Sequence, residues 1–161
     1  MFREMRRKSQ LLSSVDTDIV LSRCTNGVLA CLGDDGFPYA VPLSYVFFDG
    51  RIYFHSAKSG HKIDAISNNS KVSFTVIDKD TVVSEEYTTY FRSVIAFGKA
   101  RIVEDEERLL AFRALVEKYS GDQSDIDKQE KITDCQQSYI VGIDIEHLTG
   151  KEAIELVRAK K

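Results

Sequence analysis

Apolar positions recur along this chain in two different rhythms, and the alternation between them predicts the elements. Residues 14–26 read as a helix. Ser14 or Asp16 can cap it, Ile19, Val20 and Cys24 share a face, and Asn26-Gly27 can end it in the left-handed conformation. Val28–Leu32 is a short apolar strand, Asp34-Asp35-Gly36 a turn, and Tyr39–Phe48 a strand of aromatic and branched residues. Asp49-Gly50 is a two-residue hairpin signal that leads into a third strand, Arg51–Ser56. A short helix is expected over 60–68, with Ser59 as N-cap and Ile63 and Ile66 turned inward. Lys71–Ile77 returns as a strand, and the polar residues 78–87 read as a loop. Thr88–Val103 is a long strand in which Gly98 marks a bulge or bend. Residues 105–119 carry acids in the first turn and an apolar stripe of Leu109, Phe112, Leu115, Val116 and Tyr119, so they form a helix. The polar segment 121–137 reads as a short helix at most. Ser138–Ile145 is the last strand, and 150–158 a terminal helical turn.

Six strands, mostly joined by hairpins and decorated by a few helices, predict a mainly β (β+α) protein: a small antiparallel barrel with peripheral helices. Helices do not alternate with strands often enough for a doubly wound parallel sheet. With 161 residues, two prolines, no repeat and no polar linker, residues 1–161 are expected to form one domain, preceded by a basic arm at 1–10.

Charge narrows the partners. Twenty-two basic against 25 acidic side chains leave a net charge of −3, which argues against nucleic acid as a partner. No apolar run reaches the length of a membrane span, and no apolar stretch follows the charged start, so neither membrane nor secretion is expected. Cys24, Cys31 and Cys135 are odd in number and lack metal spacing. They read as reduced thiols of a cytoplasmic protein. His55, His61 and His147 match no metal motif either.

Three segments could carry chemistry. Between Phe54 and Lys62 a strand runs into a helix start. Unpaired N–H groups, the hydroxyls of Ser56 and Ser59, the ammonium groups of Lys58 and Lys62, and the bare backbone of Gly60 there suit a phosphate. An ordinary capped helix with solvated lysines has the same composition. Pro42, inside Ala40–Tyr45, cannot donate to a ladder, so its strand must be an edge or locally irregular; it either offers free backbone to a ligand or simply protects the edge. Arg92, inside the aromatic run Thr88–Ser93, needs a carboxylate or a phosphate, and a structural ion pair answers that need as well as a ligand does.

On these segments the chain resembles the flavin-binding split-barrel family typified by pyridoxamine 5′-phosphate oxidase, and within it the nitroimidazole-resistance (Nim-type) proteins. The matching stretches are Met1–Lys8, Thr25–Gly27, Pro38–Tyr45, Ile52–Ala57, Gly60–Lys62, Asn69–Phe74, Tyr90–Lys99 and Thr149–Ile154. The resemblance implies a six-stranded split barrel that forms a homodimer, with a flavin in each of two interface clefts. FMN is the implied cofactor, with FAD as the alternative. It places the flavin ring edge against Val41, Pro42, Leu43 and Ser44. The ribityl chain and phosphate fall against Phe54, His55, Ser56, Ala57, Gly60, His61 and Lys62, with Arg92 and Ser93 as further contacts. It also implies a flavin-dependent oxidoreductase that reduces the nitro group of 5-nitroimidazoles or related small heteroaromatics, fed by an external electron donor. His55 is the candidate proton donor. Two other readings remain open: a non-enzymatic flavin-binding or flavin-sensing module, and a haem-binding barrel with His55 or His147 as axial ligand.

Overall fold

A computed structural model describes residues 1–133 and 137–160. Cys135 lies outside the described residues. The helices are α1 (Ser14–Arg23), α2 (His61–Asn68), α3 (Asp105–Ser120), α4 (Asp125–Thr133) and α5 (Ile154–Ala159). The strands are β1 (Asn26–Leu32), β2 (Pro38–Ser44), β3 (Val46–Phe48), β4 (Arg51–Ser56), β5 (Lys71–Val83), β6 (Thr88–Val103) and β7 (Tyr139–Glu152). They form one antiparallel sheet in the order β2-β1-β5-β6-β7-β4-β3.

That order fixes the shape. β2 and β3 stand at opposite ends of the ladder, yet only Tyr45 separates them in the chain. The sheet must therefore curl until its two ends meet, which makes a barrel whose last seam is unpaired: a split barrel. The strand expected over 39–48 breaks at Tyr45, so the count is seven and not six. Asp49 and Gly50 both take positive φ, as a tight primed hairpin turn requires. Gly98 sits at a register shift, where a Cβ would come within 2.2 Å of the Asp144 carbonyl oxygen. The bulge therefore needs glycine there.

Several boundaries move. Ser13 caps α1, and that helix stops at Arg23. β7 runs on to Glu152, so the last helix begins only at Ile154. Residues 78–87 are not a loop. β5 and β6 pair through this region, out to Val83↔Thr88, as a two-stranded ribbon beyond the barrel. Polar side chains mark the outside of a strand as readily as a loop, and the register shift between Ile77 and Lys79 hid the alternation.

Two cores result. The barrel interior packs Leu29, Ile52, Phe54, Phe74, Val76, Val94, Val141 and Ile143, with α1 (Val20, Leu21) and α2 (Ile63, Ala65, Ile66) against it. Outside, α3 lays Ala111 and Leu115 over Val46, Tyr53, Val103 and Ile140. Leu109 of the expected stripe stays exposed. Under α3, Arg101 bridges Glu107 and Asp144, Arg51 also reaches Asp144, and the Tyr53 hydroxyl donates to Glu107.

The break at Tyr45 leaves its backbone without sheet partners. The hydroxyl of Tyr119 serves both groups: it accepts from the Tyr45 N–H at 3.0 Å and lies 2.8 Å from the Tyr45 carbonyl oxygen. It also reaches the Thr25 carbonyl. Unmet buried groups cost about 1–3 kcal/mol. Tyr119→Phe should thus lower unfolding stability by about 1–3 kcal/mol in urea titration with an unchanged slope. A loss below about 0.3 kcal/mol would show that water replaces the phenol without penalty.

Candidate functional site

The β3–β4 ladder ends at Val46↔Tyr53. Continued in the same register, it would set Tyr45, Ser44, Leu43 and Pro42 opposite Phe54, His55, Ser56 and Ala57. No pairing exists there, so β2 and β4 diverge into a wedge. Two of the three predicted segments therefore lie on the two sides of this unpaired seam. β2 is an edge strand, which explains how Pro42 is tolerated, as expected from the missing N–H. Tyr39, Val41 and Leu43 point inward against the barrel core, whereas Pro42 and Ser44 are exposed. On β4, Phe54 and Ser56 are buried and His55 is exposed.

α2 begins at the mouth of this wedge. Gly60, not Ser59, is its N-cap, with φ 118° and no side-chain cap. That conformation favours glycine, and the space above it is open. The Gly60 carbonyl accepts from the Ile63 and Asp64 N–H groups. The first-turn N–H groups of His61 and Lys62 point toward the helix start, where the dipole favours an anion. His61 stacks on Tyr39 at 4.1 Å, and its Nε2 lies 3.8 Å from an Asp34 carboxylate oxygen, which pins α2 to the β1–β2 turn.

Charge singles out one residue here. The Lys62 ammonium is half-buried over the Phe54 ring, 5.4 Å from its centroid. Burial pushes its pKa below the usual lysine value, partly offset by the Cys31 thiol. Among the described residues no carboxylate pairs with it. Lys58, at the same corner, lies 5.8 Å from the Tyr139 ring centroid. A desolvated cation without a counter-charge, beside a helix start, has the chemistry that anion binding requires.

Arg92 and Ser93 are not part of this cluster. Arg92 is held by Asp78 (3.2 Å) and Glu152 (2.9 Å), both carboxylates nearly fully buried. Its partner Glu152 stands thirteen residues along β7 from Tyr139, the partner of Ser56. At about 3.3 Å per residue that is about 43 Å of strand path. Ser93 faces outward beside Ile77. The cysteines are quiet: Cys31 is buried, Cys24 half-buried, and burial raises both thiol pKa values. Sequence reasoning missed Tyr119 and Tyr39, which hold the two sides of the wedge. Nothing in the local pattern sets them apart from core aromatics.

The sequence profile of the pyridoxamine 5′-phosphate oxidase family matches residues 15–152. A search of curated proteins finds no match. Among solved structures the chain is similar to a conserved hypothetical protein of Mycobacterium tuberculosis, with TM-score 0.79 and 24% identity over 92% of this chain and 90% of that one. It is also similar to a Bacteroides thetaiotaomicron protein assigned to 5-nitroimidazole antibiotic resistance, with TM-score 0.71 and 21% identity over 88% and 86%. An FAD-binding protein of Mesorhizobium loti gives TM-score 0.62 and 25% identity over 89% and 97%. The profile spans every strand and the whole wedge, and the chain belongs to the pyridoxamine 5′-phosphate oxidase family of split barrels.

Proposed function

We propose that the wedge holds a flavin, FMN or FAD, and that the protein uses it to reduce small heteroaromatic compounds such as 5-nitroimidazoles. The observation that carries this reading is the unpaired, half-buried Lys62 at the open start of α2. The donor set fits the group. Lys62, the His61 and Lys62 N–H groups and the Ser56 and Ser59 hydroxyls suit the phosphate end. The unpaired edge of β2 from Val41 to Ser44 offers backbone donors and acceptors to the polar edge of the ring. Gly60 admits the chain between them without a Cβ in the way.

The flavin supplies the electrons; the protein supplies binding, orientation and exclusion of water. His55 stands exposed on β4, on the side of the wedge that faces Ser44, and an imidazole can pass a proton to a ligand there. Its imidazole N–H is the group that protonates the reduced nitrogen of the substrate. The electrons come from an external reductant.

A second copy completes the site. The outer face of β2-β1-β5-β6-β7 carries the row Pro42–Val28–Thr75–Ile95–Thr149 and the shorter row Ala40–Ala30–Ser73, without an Asp, Glu, Lys or Arg. Ile77 (64% exposed) and Val82 (74% exposed) add to it. A contiguous uncharged face of this kind is characteristic of a subunit interface, so we assign it to a homodimer. The same face would bring Ser93 of one copy toward the other.

Reconstituted protein should show flavin absorption bands; a Soret band in their place would replace this reading with the haem one. His55→Asn should keep the flavin and lower nitro-reduction turnover about a hundredfold, the usual scale of general-acid catalysis. Unchanged turnover removes the proton-donor role. Lys62→Met should weaken FMN binding about ten- to hundredfold while leaving riboflavin binding unchanged, because only FMN presents a phosphate. Anion binding favours the charged ammonium, so FMN affinity should hold at neutral pH and fall as the pH climbs through the lowered Lys62 pKa toward 10.5. A riboflavin loss equal to the FMN loss would show that Lys62 serves packing alone. Ile95→Glu on the bare face should convert a dimer into a monomer in light scattering, and an unchanged mass would place the interface elsewhere.

A further inference from the structure

The basic arm, residues 1–10, is docked on the sheet. Leu12 donates its N–H to the Gly150 carbonyl at 2.9 Å, and Leu11 bridges Lys151. Beyond this root the arm turns back over β6 and β7. The Phe2 ring lies flat on the His147 imidazole, with centroids 4.8 Å apart and planes 5° apart, and its centroid is 5.5 Å from that of Phe97. Beside this stack is a cleft of about 340 Å³, walled by His147, Leu148 and Thr149 of β7, by Arg3, Glu4, Met5 and Lys8 of the arm, and by Leu11 at its root.

The two walls differ. β7 is hydrogen-bonded sheet, whereas among the described residues no hydrogen bond ties residues 1–8 to it. Phe2 itself stays 42% exposed. At the root, the Gln10 amide oxygen is buried with no hydrogen-bond partner, which lowers the stability of the docked arm. The arm also carries excess charge. Arg3, Arg6, Arg7 and Lys8 stand against Glu4 alone, and Glu4 is neutralised by Lys8 at 2.7 Å. Arg3 reaches the cleft with no ion pair among the described residues.

We propose that the slot over His147 and Phe97, now filled by Phe2, is a seat for a planar aromatic ring bearing a negative charge, of the mononucleotide class, with Phe2 as its built-in competitor. The imidazole and the Phe97 ring supply the stacking surface, which is indifferent to the identity of the ring. Arg3, which lines the cleft, supplies the counter-charge, while Glu4 there is paired with Lys8. The seat lies on β6 and β7, away from the wedge, and does not depend on the flavin reading.

A competitor built into the chain leaves a distinctive mark: removing it must tighten binding. Adenosine 5′-monophosphate and uncharged adenosine, titrated calorimetrically against the full chain, separate charge from stacking. Phe2→Ala should bind the nucleotide about two- to tenfold more tightly than the unaltered protein, and His147→Ala about as much more weakly. Arg3→Ala should weaken the nucleotide and spare adenosine. The His147 ring protons should shift in NMR spectra on Phe2→Ala, which confirms the stack without any ligand. Unmoved His147 resonances, equal or weaker nucleotide binding by Phe2→Ala, or equal affinities for nucleotide and nucleoside would each overturn the proposal. Competition by FAD but not by FMN would identify the occupant as the adenosine end of the flavin; indifference to both would identify a free nucleotide.

Discussion

The structure depends on one interruption. At Tyr45 the chain leaves one edge of the sheet and enters the other, so this residue cannot pair on either side. Its backbone would be buried and unmet were it not for the phenol of Tyr119. The surrounding contacts tie the same point to everything near it. The Tyr45 hydroxyl donates to the Leu21 carbonyl in the last turn of α1, and Lys118 donates to the Cys24 carbonyl while lying 4.4 Å from the Tyr45 ring centroid. The end of α3 therefore caps α1, anchors the start of β1 and holds the sheet open at one defined residue. Pairing past Tyr45 would close the barrel and erase the wedge. Tyr119 thus acts on the site at a distance, by keeping β2 and β4 apart.

Charge placement separates framework from site. Where the fold needs charges inside, each carboxylate has its cation. Asp78 pays desolvation but receives hydrogen bonds from Arg23 and Arg92, which hold its pKa below the ordinary aspartate value. Asp144 and Glu107 are held low chiefly by Arg101. These pairs close the two ends of the long β6–β7 ladder. Lys62 and Lys118 depart from this pattern, since burial lowers both pKa values and among the described residues no carboxylate pairs with either. Lys118 donates to the Cys24 carbonyl, whereas Lys62 has the Phe54 ring beside it, at a helix start whose dipole favours an anion.

Much of this was legible along the chain, because the responsible signals are local. Asp49-Gly50 encodes its own turn, Gly98 its own bulge, and Pro42 its own edge position. The corner from Phe54 to Lys62 was legible for the same reason: strand, glycine and helix start are consecutive. The break at Tyr45 was not, since Tyr39–Phe48 is uniformly β-prone and its interruption is imposed by closure of the sheet, which is non-local. The ribbon over 78–87 was hidden because its strands pair only with each other and follow a register shift. Arg92 shows the limit most plainly. Sequence pattern demanded an acidic or phosphate partner and could not choose between them; two carboxylates from β5 and β7 fill the need, and both lie far off in the chain.

The outer surface of the barrel explains why so small a domain can hold a site at all. A curled sheet buries one face in its own core and leaves the other to be covered. Here three agents divide that second face. α3 takes β3, β4 and the start of β7; the arm takes the stretch around Phe97 and His147; the remainder, from Pro42 to Val82, is left bare. The α3 cover ends at Tyr53, one residue before the ladder between β2 and β4 would have continued, so His55 and Ser44 emerge at the border between the covered and the bare surface. A cleft at such a border has one wall from its own chain and room for another. The proposed second copy would cover apolar surface and, in the same step, wall the wedge against water.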